Sequence, residues 1–225
     1  MHAIITVKKL SKAFGGQPIL NKISFDIAQG EVVGIIGESG VGKTTLLRML
    51  IGVLNSDSGN ISYRFKRKLL PLDVLTKEKV LFYKFLGFST QDCSFYPHLT
   101  VYDNVVLYGA LNGLQKKSIP KKIKDLLKFV NLSNKQDEPA ANLSSGMQKR
   151  LDIACSLVHQ PKIIFLDEPA AHLDKKNRNV IWKLVKRMNR KGMTVVISSH
   201  FLSELKKVCD RMYLLRNKKI IQQNV

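Results

Sequence analysis

At 225 residues with 44% hydrophobic content, the chain is long enough to bury a substantial core as one large domain or two small ones. No apolar run approaches the ~18 residues of a membrane span and no charged segment with an apolar run opens the chain, so a soluble, cytosolic protein is expected. The net charge of +20 is the outlier, and lysine clusters such as Lys116 to Lys124 and Lys183 to Lys191 lack the interleaved aromatics of single-strand binding, which leaves solvated helix faces or an anionic membrane surface ahead of nucleic acid.

The opening third reads as β structure. Ile4 to Val7 and Ile23 to Ile27 are strand-like, with Gly15-Gly16 and Gln29-Gly30 as turns. Val32 to Ile36 is a short apolar, β-branched run. It feeds Gly37-Glu38-Ser39-Gly40-Val41-Gly42-Lys43-Thr44, and helical spacing follows from Thr45 to Leu54 through Leu46, Met49, Leu50 and Val53. Ser56 to Gly59 is a turn, and Asn60 to Tyr63 a short strand. The basic stretch Arg64 to Lys79, with Pro71 and no clear period, is expected as a surface excursion. Phe85 to Thr90 is a strand ending at Gln91.

From Tyr96 to His159 the period is helical. Ile119, Ile123, Leu126, Leu127 and Val130 form one apolar stripe, and Ser118 and Pro120 supply start signals. Asp137-Glu138-Pro139 is a loop, and Asn142 to Gly146 leads into a helix running from Met147 to Val158. Lys162 to Leu166 then reads as a buried parallel strand that ends in Asp167 and Glu168. A helix from Lys176 to Arg190, with Val180, Ile181, Leu184, Val185 and Met188 inward, stops at Gly192. Thr194 to Ile197 is the next buried strand, and Ser198-Ser199-His200 sits at its end. A helix from Phe201 to Val208, a strand from Met212 to Leu215 and a polar tail from Asn217 close the chain. The cysteines Cys93, Cys155 and Cys209 are widely spaced without metal-ligand patterns and read as reduced thiols.

The pattern at 37 to 44 is chemically specific. Glycines let the backbone curl its N–H groups around an oxyanion, Lys43 adds a point charge, and the following helix turns its positive end to the same place. Such a loop needs a metal partner, for which Thr44 supplies a hydroxyl and Asp167 a carboxylate towards Mg²⁺. Side chains alternate along a strand, so Glu168 faces another way and is free to orient a water in line with a γ-phosphate.

Taken together from Val7 to Ile221, these motifs resemble the ATP-binding-cassette (ABC) ATPase family. Leu143-Ser144-Ser145-Gly146-Met147 is similar to its signature sequence, Leu-Ser-Gly-Gly-Gln in the commonest form, with Gln148-Lys149-Arg150 following as in many exporters. The resemblance implies an α/β phosphate-loop core with an N-terminal antiparallel β subdomain and an inserted helical subdomain, the core at 1–91 and 160–225 and the insertion at about 92–159. It implies ATP held by the loop, Thr45 and Phe14, the last stacked on adenine. It makes Gln91 the residue that senses Mg²⁺ and the γ-phosphate, His200 a γ-phosphate contact, and Ala171-His172-Leu173-Asp174 the loop that crosses a dimer interface. Ser144, Ser145 and Gly146 would clasp ATP bound to a second cassette. Tyr96 to Asn104 and Ser198 to Glu204 are similar to exporters whose membrane half is a separate six-helix polypeptide. The implied protein is therefore the ATPase subunit of an ABC transporter, peripheral on the inner face of the cell membrane. The alternative is a soluble ABC ATPase acting on ribosomes or nucleic acid. Ser145 departs from the family pattern by replacing a glycine, Met147 replaces the commonest glutamine, and His172 and Lys175 are unusual in the crossing loop.

Overall fold

The computed structural model describes residues 2–65, 68–73, 82–115 and 119–223. Two sheets organise it. Strands β1 (Ala3–Phe14), β2 (Gln17–Ala28), β4 (Ser58–Phe65) and β5 (Lys68–Pro71) form an antiparallel sheet in the order β2-β1-β4-β5. The second sheet runs β10-β9-β3-β8-β7-β6, from β3 (Val32–Ile36), β6 (Leu86–Ser89), β7 (Ile163–Asp167), β8 (Thr194–Ser199), β9 (Arg211–Arg216) and β10 (Lys219–Gln223). Its strands are parallel except for β10.

The period of two along each central strand divides the interior into two cores. Val32, Ile164, Leu166, Val195 and Ile197 face one of them, shared with the helices α4 (Ser145–Leu157) and α5 (Lys175–Arg190) and with Ile123, Leu127 and Val130. Val33, Ile35, Ile163, Phe165 and Val196 face the other, shared with α1 (Lys43–Leu50) and the inner side of the antiparallel sheet. A sheet covered on both faces needs continuous apolar strands, which is why Ile163 to Leu166 and Val195 to Ile197 are unbroken runs.

The other helices are α2 (Val101–Leu111), α3 (Ile119–Phe129) and the single turn α6 (Leu202–Leu205). Of the expected stripe, Ile123, Leu127 and Val130 are buried and Leu126 is half-buried; Ser118 with its start signal and the side chain of Ile119 lie outside what is described. Helical structure starts at Val101 rather than at Tyr96, because Thr100 caps α2: its hydroxyl oxygen accepts from the Asp103 N–H at 3.0 Å and its O–H donates to the Asp103 carboxylate at 2.7 Å. Thr100→Ala is expected to lower unfolding free energy by about 1 kcal/mol in urea denaturation, while Thr100→Ser keeps it.

Several sequence expectations are corrected. The helix after the phosphate loop ends at Leu50, not Leu54, and Val53 is exposed rather than inward. The stretch read as a surface excursion contains β5, paired to β4; its residues 66–67 and 74–79 lie outside the described residues. The helix expected from Phe201 to Val208 is only the turn α6, although Leu205 and Val208 are both buried. The polar tail is instead β10, folded back on β9 through Asn217 and Lys218, whose φ values of 49° and 63° make a two-residue turn with both central residues left-handed. Lys at the second turn position hid that hairpin, since glycine is the usual signal there.

Candidate functional site

Strand register brings the candidate residues to one edge. Ile36 pairs with Ser199 and Asp167 with Ser198, so the loop after β3, the carboxylates after β7 and His200 after β8 leave the sheet side by side. This is the carboxyl edge, where open parallel sheets bind ligands.

The loop is built around what its glycines lack. Gly42 caps α1 at φ 109°, and a Cβ there would sit 2.7 Å from Ile19 Cγ2. A Cβ on Gly37 would sit 2.6 Å from the Leu215 carbonyl oxygen. The backbone is thus pressed against β2 and β9, while Glu38, Ser39 and Gly40 stay exposed. Thr44 and Thr45 are half-buried in the first turn of α1.

Lys43 is buried and folded back over the loop. Its ammonium donates to the carbonyls of Gly37 and Glu38, both at 2.9 Å, and lies 3.1 Å from Glu168 Oε1. The other carboxylate oxygen of Glu168 meets His200 Nδ1 at 2.9 Å. Glu168 therefore bridges the phosphate-loop lysine and the strand-end histidine. It reaches that position from a left-handed backbone, φ 45°, with its N–H donating to Ser198 Oγ at 2.9 Å. Ser198 donates in turn to Asp167 Oδ1 at 2.5 Å. Ser198 is a site residue to which motif reading gave no role; its signal was a hydroxyl pair directly after the apolar run Val195 to Ile197.

Thr44 and Asp167 offer only oxygen donors, the ligands Mg²⁺ prefers when nucleotide phosphates and waters complete its octahedron. Among the described residues no group of three or more His, Cys, Asp or Glu gathers as a metal cage, and a Mg²⁺–nucleotide site needs none. The donor set fits that ion.

Among the described residues no hydrogen bond or ion pair joins Phe14, Gln91, Ser144, Ser145, Gly146 or Asp174 to this cluster. Phe14 ends β1 with 49% of its surface exposed and Lys12 Nζ 5.3 Å from its ring centre. Gln91 is exposed in the segment after β6, and its carbonyl accepts from Lys149. Ser144 and Ser145 are exposed at the start of α4, and the Ser144 hydroxyl makes no capping bond. Gly146 is buried against α5, where a Cβ would fall 2.5 Å from Asn177 Oδ1. Asp174 caps α5 by accepting from the Asn177 N–H at 2.8 Å, and that bond with the Asn177 amide holds its carboxyl below the usual range.

A glycine-cornered loop opening a helix at the carboxyl edge of a parallel sheet, with a buried lysine in the loop and two carboxylates at the end of β7, one strand beyond β8, defines a phosphate-loop nucleotide-binding protein. The chain belongs to the ABC transporter family, whose model matches residues 20–171. It is 32% identical over 212 residues to the linearmycin resistance ATP-binding protein LnrL of Bacillus subtilis, covering 94% of this chain and 66% of that protein. It is 36% identical over 220 residues to the methionine import ATP-binding protein MetN of Clostridium tetani, covering 96% and 68%. Among solved structures, CbiO1 of Clostridium perfringens, described as part of the ABC transporter complex cbiONQ, superposes with a TM-score of 0.89 at 32% identity, over 100% of this chain and 89% of that one. The chain spans about two thirds of the length of the curated relatives it matches, 66% and 65% for the first two. No helix among the described residues is long and apolar enough to cross a membrane.

Proposed function

We propose that this chain is the ATP-binding and ATP-hydrolysing subunit of a transporter, acting as one of a pair of cassettes on a separate membrane subunit. The observation that carries the reading is the Glu168 carboxylate held between Lys43 and His200 at the mouth of the phosphate loop. The loop backbone from Gly37 to Gly42, with Lys43, binds the phosphates of ATP. Thr44 and Asp167 hold Mg²⁺, which supplies charge compensation to the phosphate oxygens when bound. Glu168 accepts a proton from a water as that water's oxygen bonds to the γ-phosphorus and the bond to the ADP oxygen breaks. His200 donates to the γ-phosphate and keeps Glu168 oriented.

Phe14, exposed at the end of β1, stacks on adenine. Ser144, Ser145 and the Gly146 amide, at the positive end of α4, contact ATP on the second cassette, and the loop ending at Asp174 crosses between the two. Gln91 reads the γ-phosphate and reports to the membrane subunit through the helical segment 92–159. The exposed lysines favour docking on an anionic inner membrane face.

The test is phosphate release by the purified chain with Mg²⁺ and ATP. Saturable release supports the reading; none at any protein concentration, with or without candidate membrane subunits, counts against it. Phe14→Ala is expected to raise the Kd for ATP by roughly five- to a hundredfold, the ~1–3 kcal/mol that an aromatic–base stack contributes, while Phe14→Tyr stays near wild type. Equilibrium dialysis decides it.

A further inference from the structure

Two charged side chains that the hydrolysis steps do not use are buried one turn apart on α4: Asp152 is 3% exposed and Lys149 5%. The Asp152 carboxylate accepts from the Ser89 hydroxyl at 2.5 Å and from the Ser94 backbone N–H at 2.9 Å. Lys149 Nζ, 3.8 Å from Asp152 Oδ2, donates to the carbonyl of Thr90 and, at 3.3 Å, to that of Gln91. The segment carrying Gln91 is thus gripped at its start, middle and end by two side chains of one helix.

Further along, the same segment is tied to α2. Tyr108 donates to the Ser94 carbonyl at 2.5 Å, and buried Asn104 bonds both the N–H and the carbonyl of Tyr96, at 2.7 and 2.9 Å. After Ser89 the chain leaves the sheet, and alongside bonds of its own from Thr90 to Asp92 and Ser94 it is tied by side chains of α4 and α2.

Withdrawing two charges from water is costly, and an apolar pair of similar volume would avoid that cost. An apolar pair, however, offers nothing to the carbonyls of Thr90 and Gln91 or to the N–H of Ser94. Burial pushes the Asp152 carboxyl above its ordinary range, against the pull of Lys149 and the Ser89 hydroxyl, so the geometry is held at an electrostatic cost.

We infer that Lys149 and Asp152 are positioning residues that lock the Gln91 loop to α4, so that Gln91 and the Ser144–Gly146 terminus of the same helix move as one body. The inference rests on the roles proposed above for Gln91 and Ser144. It adds a mechanical path: force applied at the Gln91 loop arrives at the helix end that faces the second nucleotide without passing through the sheet. The path runs along a helix of 13 residues, a rigid element.

Two readouts test it. The first is amide hydrogen exchange, followed by mass spectrometry in the Lys149→Met, Asp152→Leu double variant, which removes both charges together and leaves neither buried alone. Exchange at 90–94 is expected to quicken by at least about tenfold while the amides of 145–157 keep their protection. Unchanged exchange at 90–94 in this folded variant overturns the lock.

The second is a double-mutant cycle in turnover. Lys149→Met is expected to lower kcat with little change in the Kd for ATP, Lys149→Arg to restore part of it, and Lys149→Met with Gln91→Ala to cost no more than Gln91→Ala alone. Additive losses overturn the positioning role. Wild-type turnover by Gln91→Ala would instead count against the proposed role of Gln91, and exchange at 90–94 then decides the lock by itself.

Discussion

Lys43→Ala is expected to weaken ATP binding by about ten- to a hundredfold and to abolish turnover. A hydrogen bond to a charged group contributes roughly 1.5–3 kcal/mol, and each ~1.4 kcal/mol is tenfold in affinity. The ammonium is aimed by two backbone carbonyls of its own loop, Gly37 and Glu38, so little ordering remains to be done when phosphate arrives. Alanine also strips Glu168 of its cation and leaves a buried carboxylate facing the incoming γ-phosphate. Equilibrium dialysis with ATP and a phosphate-release assay measure the two effects, with circular dichroism as the control for folding. Wild-type turnover by this variant would remove the loop from the account.

Glu168→Gln is expected to separate binding from chemistry. Losing a general base costs typically about 10²–10⁴ in rate, because the amide cannot accept the proton of the attacking water. ATP affinity should hold or rise. The carboxylate is the present partner of Lys43 at 3.1 Å, so it competes with phosphate for the ammonium, and a neutral amide competes less. Single-turnover phosphate release alongside equilibrium binding checks both halves. A parallel loss of affinity and rate would mean that Glu168 serves binding or folding and not the proton.

Much of this site could be read from the residues because its chemistry constrains the backbone. Gly37 and Gly42 are pressed against Leu215 and Ile19, positions where a side chain cannot sit, so the loop advertises itself as glycine at fixed spacing. The strands beneath it were equally legible, since burial on both faces demands the apolar runs of β7 and β8. Pairings between distant residues were not. Ser198 looks like an ordinary strand-end hydroxyl until the register sets it opposite Asp167. Lys149 and Asp152 look like two more charges in a strongly basic chain, and only packing against the Gln91 segment removes them from water.

Gly146 shows the same limit from the other side. Its place in a signature-like motif suggests that a side chain there would strike the second nucleotide, yet the nearest obstacle is Asn177 of its own chain. A carboxylate at 146 would disturb the α4–α5 contact before it met another cassette. Exposed Ser144, whose hydroxyl makes no capping bond, is the cleaner place to perturb the shared site.

The central claim is that two copies of such a site close on ATP, each completed by the other's Ser144. Light scattering of the Glu168→Gln variant, with Mg²⁺ and either ATP or ADP, tests it most directly. The account predicts the mass of a dimer with ATP, the mass of one chain with ADP, and loss of the ATP dimer when Ser144→Glu is added, since that carboxylate meets the γ-phosphate as a like charge. A mass of one chain at saturating ATP, with the nucleotide demonstrably bound and a candidate membrane subunit present, would contradict it.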